Sequence, residues 1–261
     1  MLKSCILISA CLLLSSGVAS AAITFSVCGT GFTTSACTTQ TTPGSADGNW
    51  KLMSDPTVNE ADGGCTATCA GQDTTPTAAI VTDTGVFPFT GVCNTDCWEP
   101  DTTSSEWVSP RAAENGDSDP WSPSVPYVYT ETFTIPATVN VTTVIILGEW
   151  SADNYGNVFV NGTQITTGVD GAIPNQTLEF TQFTSFTLDG SAVGTENASF
   201  HTGSNTLTFE VFNNGSGQPD VTGLDVVITS ASGQASPEPA SLGFMGLGLA
   251  ALGFVGRRRR S

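Results

Sequence analysis

Between Ala22 and Ala235 apolar residues recur in short alternating stretches, and no long run repeats at a 3.6-residue period, which is the pattern of an all-β chain. Tyr127, Tyr129, Phe133 and Ile135 alternate through Tyr127 to Pro136, predicting a strand with one buried face. Val141 to Trp150 is apolar at both parities, with Val144, Ile145, Ile146 and Leu147 contiguous, and predicts a central strand buried on both faces. Asn157 to Val160 runs into Asn161-Gly162, a pair that suits the positive φ angles of a two-residue type I′ turn, so Thr163 to Thr166 should return as its hairpin partner. Leu207, Phe209 and Val211 alternate, as do Leu224, Val226 and Ile228, each set after a glycine-containing turn. Phe180, Phe183, Phe186 and Leu188 predict a further strand or an irregular edge.

The N-terminal part is less regular, with strands predicted at Ile23 to Val27, Asn49 to Met53, Ala78 to Thr82 and Glu106 to Ser109. Its proline-rich end, Asp119 to Pro126, leads directly into Tyr127 and reads as part of one domain with long, disulfide-pinned loops. Strands this short and frequent indicate a sandwich or jelly roll.

The two ends of the chain follow neither pattern. Lys3, the apolar run Cys5 to Leu14 and the small residues Ala19-Ser20-Ala21 form a signal peptide, with cleavage by signal peptidase expected after Ala21. Cys11 resembles a lipoprotein cysteine but lies inside the apolar run, ahead of where processing occurs. At the other end, Ser232 to Ser236 reads as a flexible spacer. Pro237-Glu238-Pro239 follows, then the uncharged stretch Ala240 to Gly256, then Arg257, Arg258, Arg259 and Arg260. Seventeen residues at about 1.5 Å each just cross a bilayer core, and the arginines hold the C-terminus in the cytoplasm, leaving the β-domain outside. Five glycines make the span weakly hydrophobic, better suited to a transient stop in the inner membrane than to a permanent anchor.

These three elements in this order resemble the PEP-CTERM sorting signal. The resemblance implies recognition by exosortase, a membrane protease, followed by release or transfer of the ectodomain to the cell surface or extracellular space. The domain plan is therefore a signal peptide at 1–21, an ectodomain at 22–231, a spacer at 232–236 and a sorting signal at 237–261, with the transmembrane helix at 240–256 and the arginine tail at 257–260.

Charge narrows the partners. Of 24 acids only Glu238 lies outside the ectodomain, and of seven bases only Lys51 and Arg111 lie inside it, a net charge of −21. A phosphate backbone must be met by clustered Lys and Arg, so nucleic acid is excluded, and anionic lipid surfaces ask for the same patch. Cations, sugars and other proteins remain.

Without the signal peptide's two cysteines, Cys28, Cys37, Cys65, Cys69, Cys93 and Cys97 form an even set, read as up to three disulfides in an exported protein. The alternative is a four-thiolate zinc site on Cys65-x3-Cys69 and Cys93-x3-Cys97; export to an oxidising compartment favours disulfides. Six cysteines allow 15 pairings, and the sequence does not choose among them.

A second resemblance rests on Tyr129-x3-Phe133, Gly148-Glu149-Trp150-Ser151-Ala152-Asp153-Asn154, Val158-x-Val160-Asn161-Gly162, Gly203-Ser204-Asn205-Thr206-Leu207 and Thr222-Gly223-Leu224, with Asp47-x2-Trp50 and Glu106-Trp107-Val108-Ser109-Pro110 upstream. Taken in order, these resemble a galactose-binding-like β-sandwich of the kind often joined to PEP-CTERM tails. The resemblance implies a jelly roll, often a carbohydrate-binding module, often with a structural calcium ion.

Candidate chemistry centres on Trp150, Asp153, Asn154, Tyr155 and Asn157, expected on a loop between a strand and the next hairpin. An aromatic face stacks on a pyranose and Asp or Asn binds its hydroxyls; the plainer reading makes Trp150 core and Asp153-Asn154 an Asx turn. Calcium needs converging oxygens, which Asp153, Asn154 and Asn157, or Asp117-Ser118-Asp119, could supply. His201 is the only histidine, lies near a turn and has no nucleophile elbow beside it, so the chain reads as non-enzymatic. The expectation is a surface or matrix protein that binds exopolysaccharide, or a purely structural envelope component, with a polysaccharide hydrolase a distant third.

Overall fold

The computed structural model describes residues 21–56, 72–83, 88–89, 97–112, 119, 122–165, 179–191, 199–214 and 221–236. The signal peptide, the sorting signal with its span, and Cys65, Cys69 and Cys93 lie outside these residues.

Twelve strands are described: β1 (Ala22–Thr24), β2 (Ala46–Pro56), β3 (Gln72–Asp73), β4 (Thr77–Val81), β5 (Val108–Ser109), β6 (Ser122–Ile135), β7 (Ile145–Asp153), β8 (Tyr155–Val160), β9 (Thr163–Ile165), β10 (Thr184–Asp189), β11 (Gly203–Asn213) and β12 (Gly223–Gln234). No α-helix occurs among the described residues, only short 3₁₀ turns such as Val141–Thr143 and Glu179–Thr181. The hydrogen-bonded order is β10-β7-β12-β5-β4-β2-β6-β11-β8-β9, with β1 beside β12 and β3 beside β2.

This long antiparallel ladder bends so that its two arms share one core. Phe209 of β11 is the meeting point: its ring lies 5.2 Å from Trp150 of β7, 5.8 Å from Trp50 of β2 and 6.0 Å from Phe186 of β10. All four are buried, and large aromatic surfaces of this kind supply most of the apolar area a β-core removes from water. A smaller aromatic cluster, Phe89, Trp98, Trp107, Phe180 and Val221, packs apart from it, with Trp98 and Trp107 stacked at 4.1 Å.

The alternation in Tyr127 to Ile135 does place Tyr127, Tyr129, Phe133 and Ile135 inside. β6 starts earlier than expected, however, because Ser122 to Pro126 of the proline-rich segment is part of the strand. The Asn161-Gly162 turn forms with φ of 50° and 78°, and Val160 pairs with Thr163. Asn161 also ties the hairpin to β11: its Oδ1 accepts from the Thr206 amide at 2.8 Å and its Nδ2 donates to Asn205 Oδ1 at 2.8 Å.

Two expectations need correction. Val141 to Trp150 is not one strand buried on both faces: Val141–Thr143 is a 3₁₀ turn, and β7 keeps Ile145 at 40% and Leu147 at 39% exposure while Ile146 and Trp150 are buried. Contiguous apolar residues filled both parities, but on the outer face of β7 the exposed Ile145 and Leu147 have polar partners beside them, Asp189 and Ser232 opposite Ile145 and Thr187 and Ser230 opposite Leu147. Nor do Ser232 to Ser236 hang free. β12 runs to Gln234, where Ser232, Gly233 and Gln234 pair with β1, and the Ser236 amide donates to Thr138 O at 2.6 Å.

Cys28 and Cys37 form a disulfide. Cys97 is disulfide-bonded as well, which removes it from the four-thiolate zinc alternative.

Candidate functional site

Of the residues expected on a sugar-binding loop, Trp150 and Asp153 lie in β7 and Tyr155 and Asn157 in β8, and only Asn154 lies between the strands, at the corner where β7 passes into β8. Trp150 is 1% exposed and packs on Phe209, so its faces serve the core. Asp153 is buried; its Oδ2 accepts from Trp98 Nε1 at 2.8 Å and its carbonyl from Thr222 Oγ1 at 2.8 Å. Asn154 Oδ1 accepts from the Asn214 amide at 2.7 Å, and Tyr155 stacks on Phe212 at 5.2 Å. Asn157 Oδ1 accepts from Gln164 Nε2 at 3.1 Å and its Nδ2 donates to Glu210 Oε2 at 3.4 Å. The structure brings Asp153, Asn154 and Tyr155 together as a cross-brace between the arms, with the oxygens named for calcium already engaged by protein donors. Of the other calcium segment, 117–118 lies outside the described residues and Asp119 is paired with Arg111. His201 is exposed near the β8–β9 hairpin, its Nδ1 3.3 Å from Asn161 Nδ2.

A concavity opens elsewhere, where β1 and the segment after it pass over β6. It encloses about 450 Å³, within the range of small-ligand pockets. Thr24, Ser26, Ser35, Thr132 and Thr134 bring exposed hydroxyls to its lining, and Phe25 is half-buried there, stacked parallel to Phe133 at 6.4 Å. Glu131 also contributes to the lining.

Glu131 is the anomaly of the core. It occupies an inward position of β6 between Trp50 of β2 and Leu207 of β11, and is 2% exposed. Its Oε1 accepts from the Cys28 amide at 2.8 Å, while its Oε2 has no hydrogen-bond partner among the described residues. Burial pushes its pKa up to about 8 against the lowering effect of the Cys28 amide, and the Asp47 charge raises it further.

Glu131 is one of a set. Residues Cys28 to Phe32 thread between β12 and the β2–β6 pair: the Thr30 amide donates to Val226 O at 2.9 Å and the Gly48 amide to Phe32 O at 2.8 Å. Acids line the thread almost residue by residue. Asp225 Oδ1 accepts from Thr30 Oγ1 at 3.1 Å, Asp47 accepts from the Gly31 amide, and Glu106 lies so close to Gly31 that a β-carbon there would stand 2.5 Å from Glu106 Cβ. Asp101 accepts from the Trp107 amide at 2.9 Å. Burial raises all four: Asp47 in direction, Asp101 to about 6, Glu106 to about 7 and Asp225 to about 8, with Asp101 and Asp47 adding repulsion at Glu106. Among the described residues no Lys, Arg or His acts on any of the five.

Sequence reasoning missed this group. The signal available was Glu131, at the same inward parity as Tyr129 and Phe133; Asp225 falls at the opposite parity to Leu224 and Val226, where an acid is an ordinary outward residue, so the alternation gave no sign of it.

Residues 237–260 match the PEP-CTERM protein-sorting motif. The motif implies export, anchoring in the membrane and processing by exosortase. No curated protein and no solved structure matches the chain.

Proposed function

We propose that this is a non-enzymatic, exosortase-processed component of the cell surface or extracellular matrix, whose β-domain binds exopolysaccharide in the concavity beside β6. The observation that carries the reading is the lining: five exposed hydroxyl side chains around a half-buried aromatic ring, in a volume suited to one or two sugar rings. Hydroxyls exchange hydrogen bonds with sugar hydroxyls in either direction, and the Phe25 ring offers an apolar face to a pyranose. The sorting motif delivers the domain to the compartment where such polymers lie.

A glycan array probed with the mature protein tests this. Phe25→Ala should lose the signal, since Phe25 is only half-buried and its removal leaves the main core in place. An empty array, or equal binding by the variant, would instead favour a purely structural envelope protein. Release of reducing ends from matrix polysaccharide would favour a hydrolase.

A further inference from the structure

We propose that the C-terminal cut by exosortase depends on prior removal of the signal peptide, because the residue that the first cut carries away clamps the strand that the second cut must open. The two ends of the domain lie together. β1 pairs with the end of β12 in the register Ala22 with Gln234, Ile23 with Gly233 and Thr24 with Ser232. The pairing continues one step further, where the Ala235 amide donates to the Ala21 carbonyl at 2.9 Å. On its other side the end of β12 is held by the segment before β7. The Gln234 amide donates to Thr143 Oγ1 at 2.8 Å, the Asn140 amide to Gln234 O at 2.8 Å, and the Ser236 amide to Thr138 O. Gln234, Ala235 and Ser236 are thus held alternately from the two flanks, up to the residue before the sorting motif at Pro237.

A protease that takes its substrate as an extended chain uses that chain's main-chain hydrogen bonds, and a strand bonded on both edges has already committed them. Pro237 to Pro239 reach at most about 10 Å beyond Ser236, so a cut in that stretch must draw on 234–236 as well. Those residues become available by local opening, and cutting then follows the open population. Signal peptidase acts first on the expected bond: water adds across Ala21–Ala22, the new carboxyl leaves on Ala21 with the signal peptide, and Ala22 keeps the new amine. With Ala21 goes the acceptor of the Ala235 amide, and that flank of the strand loosens just before the motif. Losing one such hydrogen bond raises the open population roughly fivefold. The second cut therefore becomes efficient only on a chain that has completed the first.

The test is a pulse-chase of the full chain in exosortase-containing cells, with intact mass reporting both ends. The parent should lose residues 1–21 and then be cut near Pro237. Ala19→Phe with Ala21→Phe puts bulky side chains where signal peptidase accepts small ones, yet keeps the Ala21 position's carbonyl. This variant should retain the signal peptide and be cut at the C-terminus roughly fivefold more slowly. A short Gly-Ser insertion between Ser236 and Pro237 should restore the parent rate in that variant, because the cut no longer draws on β12. Parent-rate cutting with the signal peptide retained, or a slow cut that the insertion leaves slow, would overturn the proposal, the latter by showing that the signal peptide hinders the protease directly. The dependence rests on processing by exosortase: a parent chain never cut near Pro237 would end both readings, whereas ends cut independently would end this one alone.

Discussion

The amide of Cys28 donates to the carboxyl of Glu131 at 2.8 Å, joining residues 103 apart in sequence inside the apolar core. An acid in that position makes stability a function of proton occupancy. Ordinary Glu and Asp carboxyls ionise near 4.5 and 3.8, whereas Glu131 and Asp225 in the folded chain ionise near 8. Between those values the native state holds protons that the unfolded chain has released. Stability is therefore greatest at the acid end and falls as pH rises through about 8, by up to about 1.4 kcal/mol per pH unit for each group. In EDTA, denaturant midpoints from pH 5 to 8.5 should decline, and Glu131→Gln should flatten the decline and be more stable than the parent at pH 8.5. A midpoint that rises with pH would contradict the assignment.

Trp150→Ala should cost about 3 to 5 kcal/mol, because the ring fills the contact between β7 and Phe209. Urea unfolding measures it. A variant of unchanged stability would mean that Trp150 is not core.

Glycine substitutions separate strain from collision. At Gly162, φ is 78° and nothing stands within 4 Å of an added methyl, so Gly162→Ala should cost only about 1 kcal/mol of backbone strain. At Gly156 the same methyl would lie 2.1 Å from the Glu210 carbonyl oxygen, in the middle of the β8–β11 ladder. Gly156→Ala should fail to accumulate as folded protein, read by yield and by circular dichroism.

Much of this fold is legible in the chain because a two-residue period reports which face of a strand is buried. The hairpin strands around Asn161-Gly162 and the inward face of β6 follow from it directly; Phe180 to Leu188 lacks a clean period of two, and it left a strand and an irregular edge both open. The period does not report what covers the opposite face, so Ile145 and Leu147 read as buried when their cross-strand neighbours are the polar Asp189, Thr187, Ser230 and Ser232. Nor does it reveal where a strand continues past a loop-like composition, as β12 does through Ser232 to Gln234. The candidate sites were hidden for a different reason. Trp150, Asp153 and Asn154 have the side chains of a sugar site, but burial and long-range partners such as Trp98 and Asn214 decide their role. Glu131 and Asp225 look like solvated acids until the thread at Cys28 to Phe32 closes over them, a contact between segments more than 100 residues apart.

The central claim is that the β-domain reaches the envelope as a processed precursor. Intact mass spectrometry of the protein from cells with and without exosortase tests it most directly. The mature form should lack residues 1–21 in both, and only in exosortase-containing cells should the C-terminus end near Pro237 to Pro239, with any added group read from the mass difference. A full-length mass of all 261 residues in both strains would contradict it.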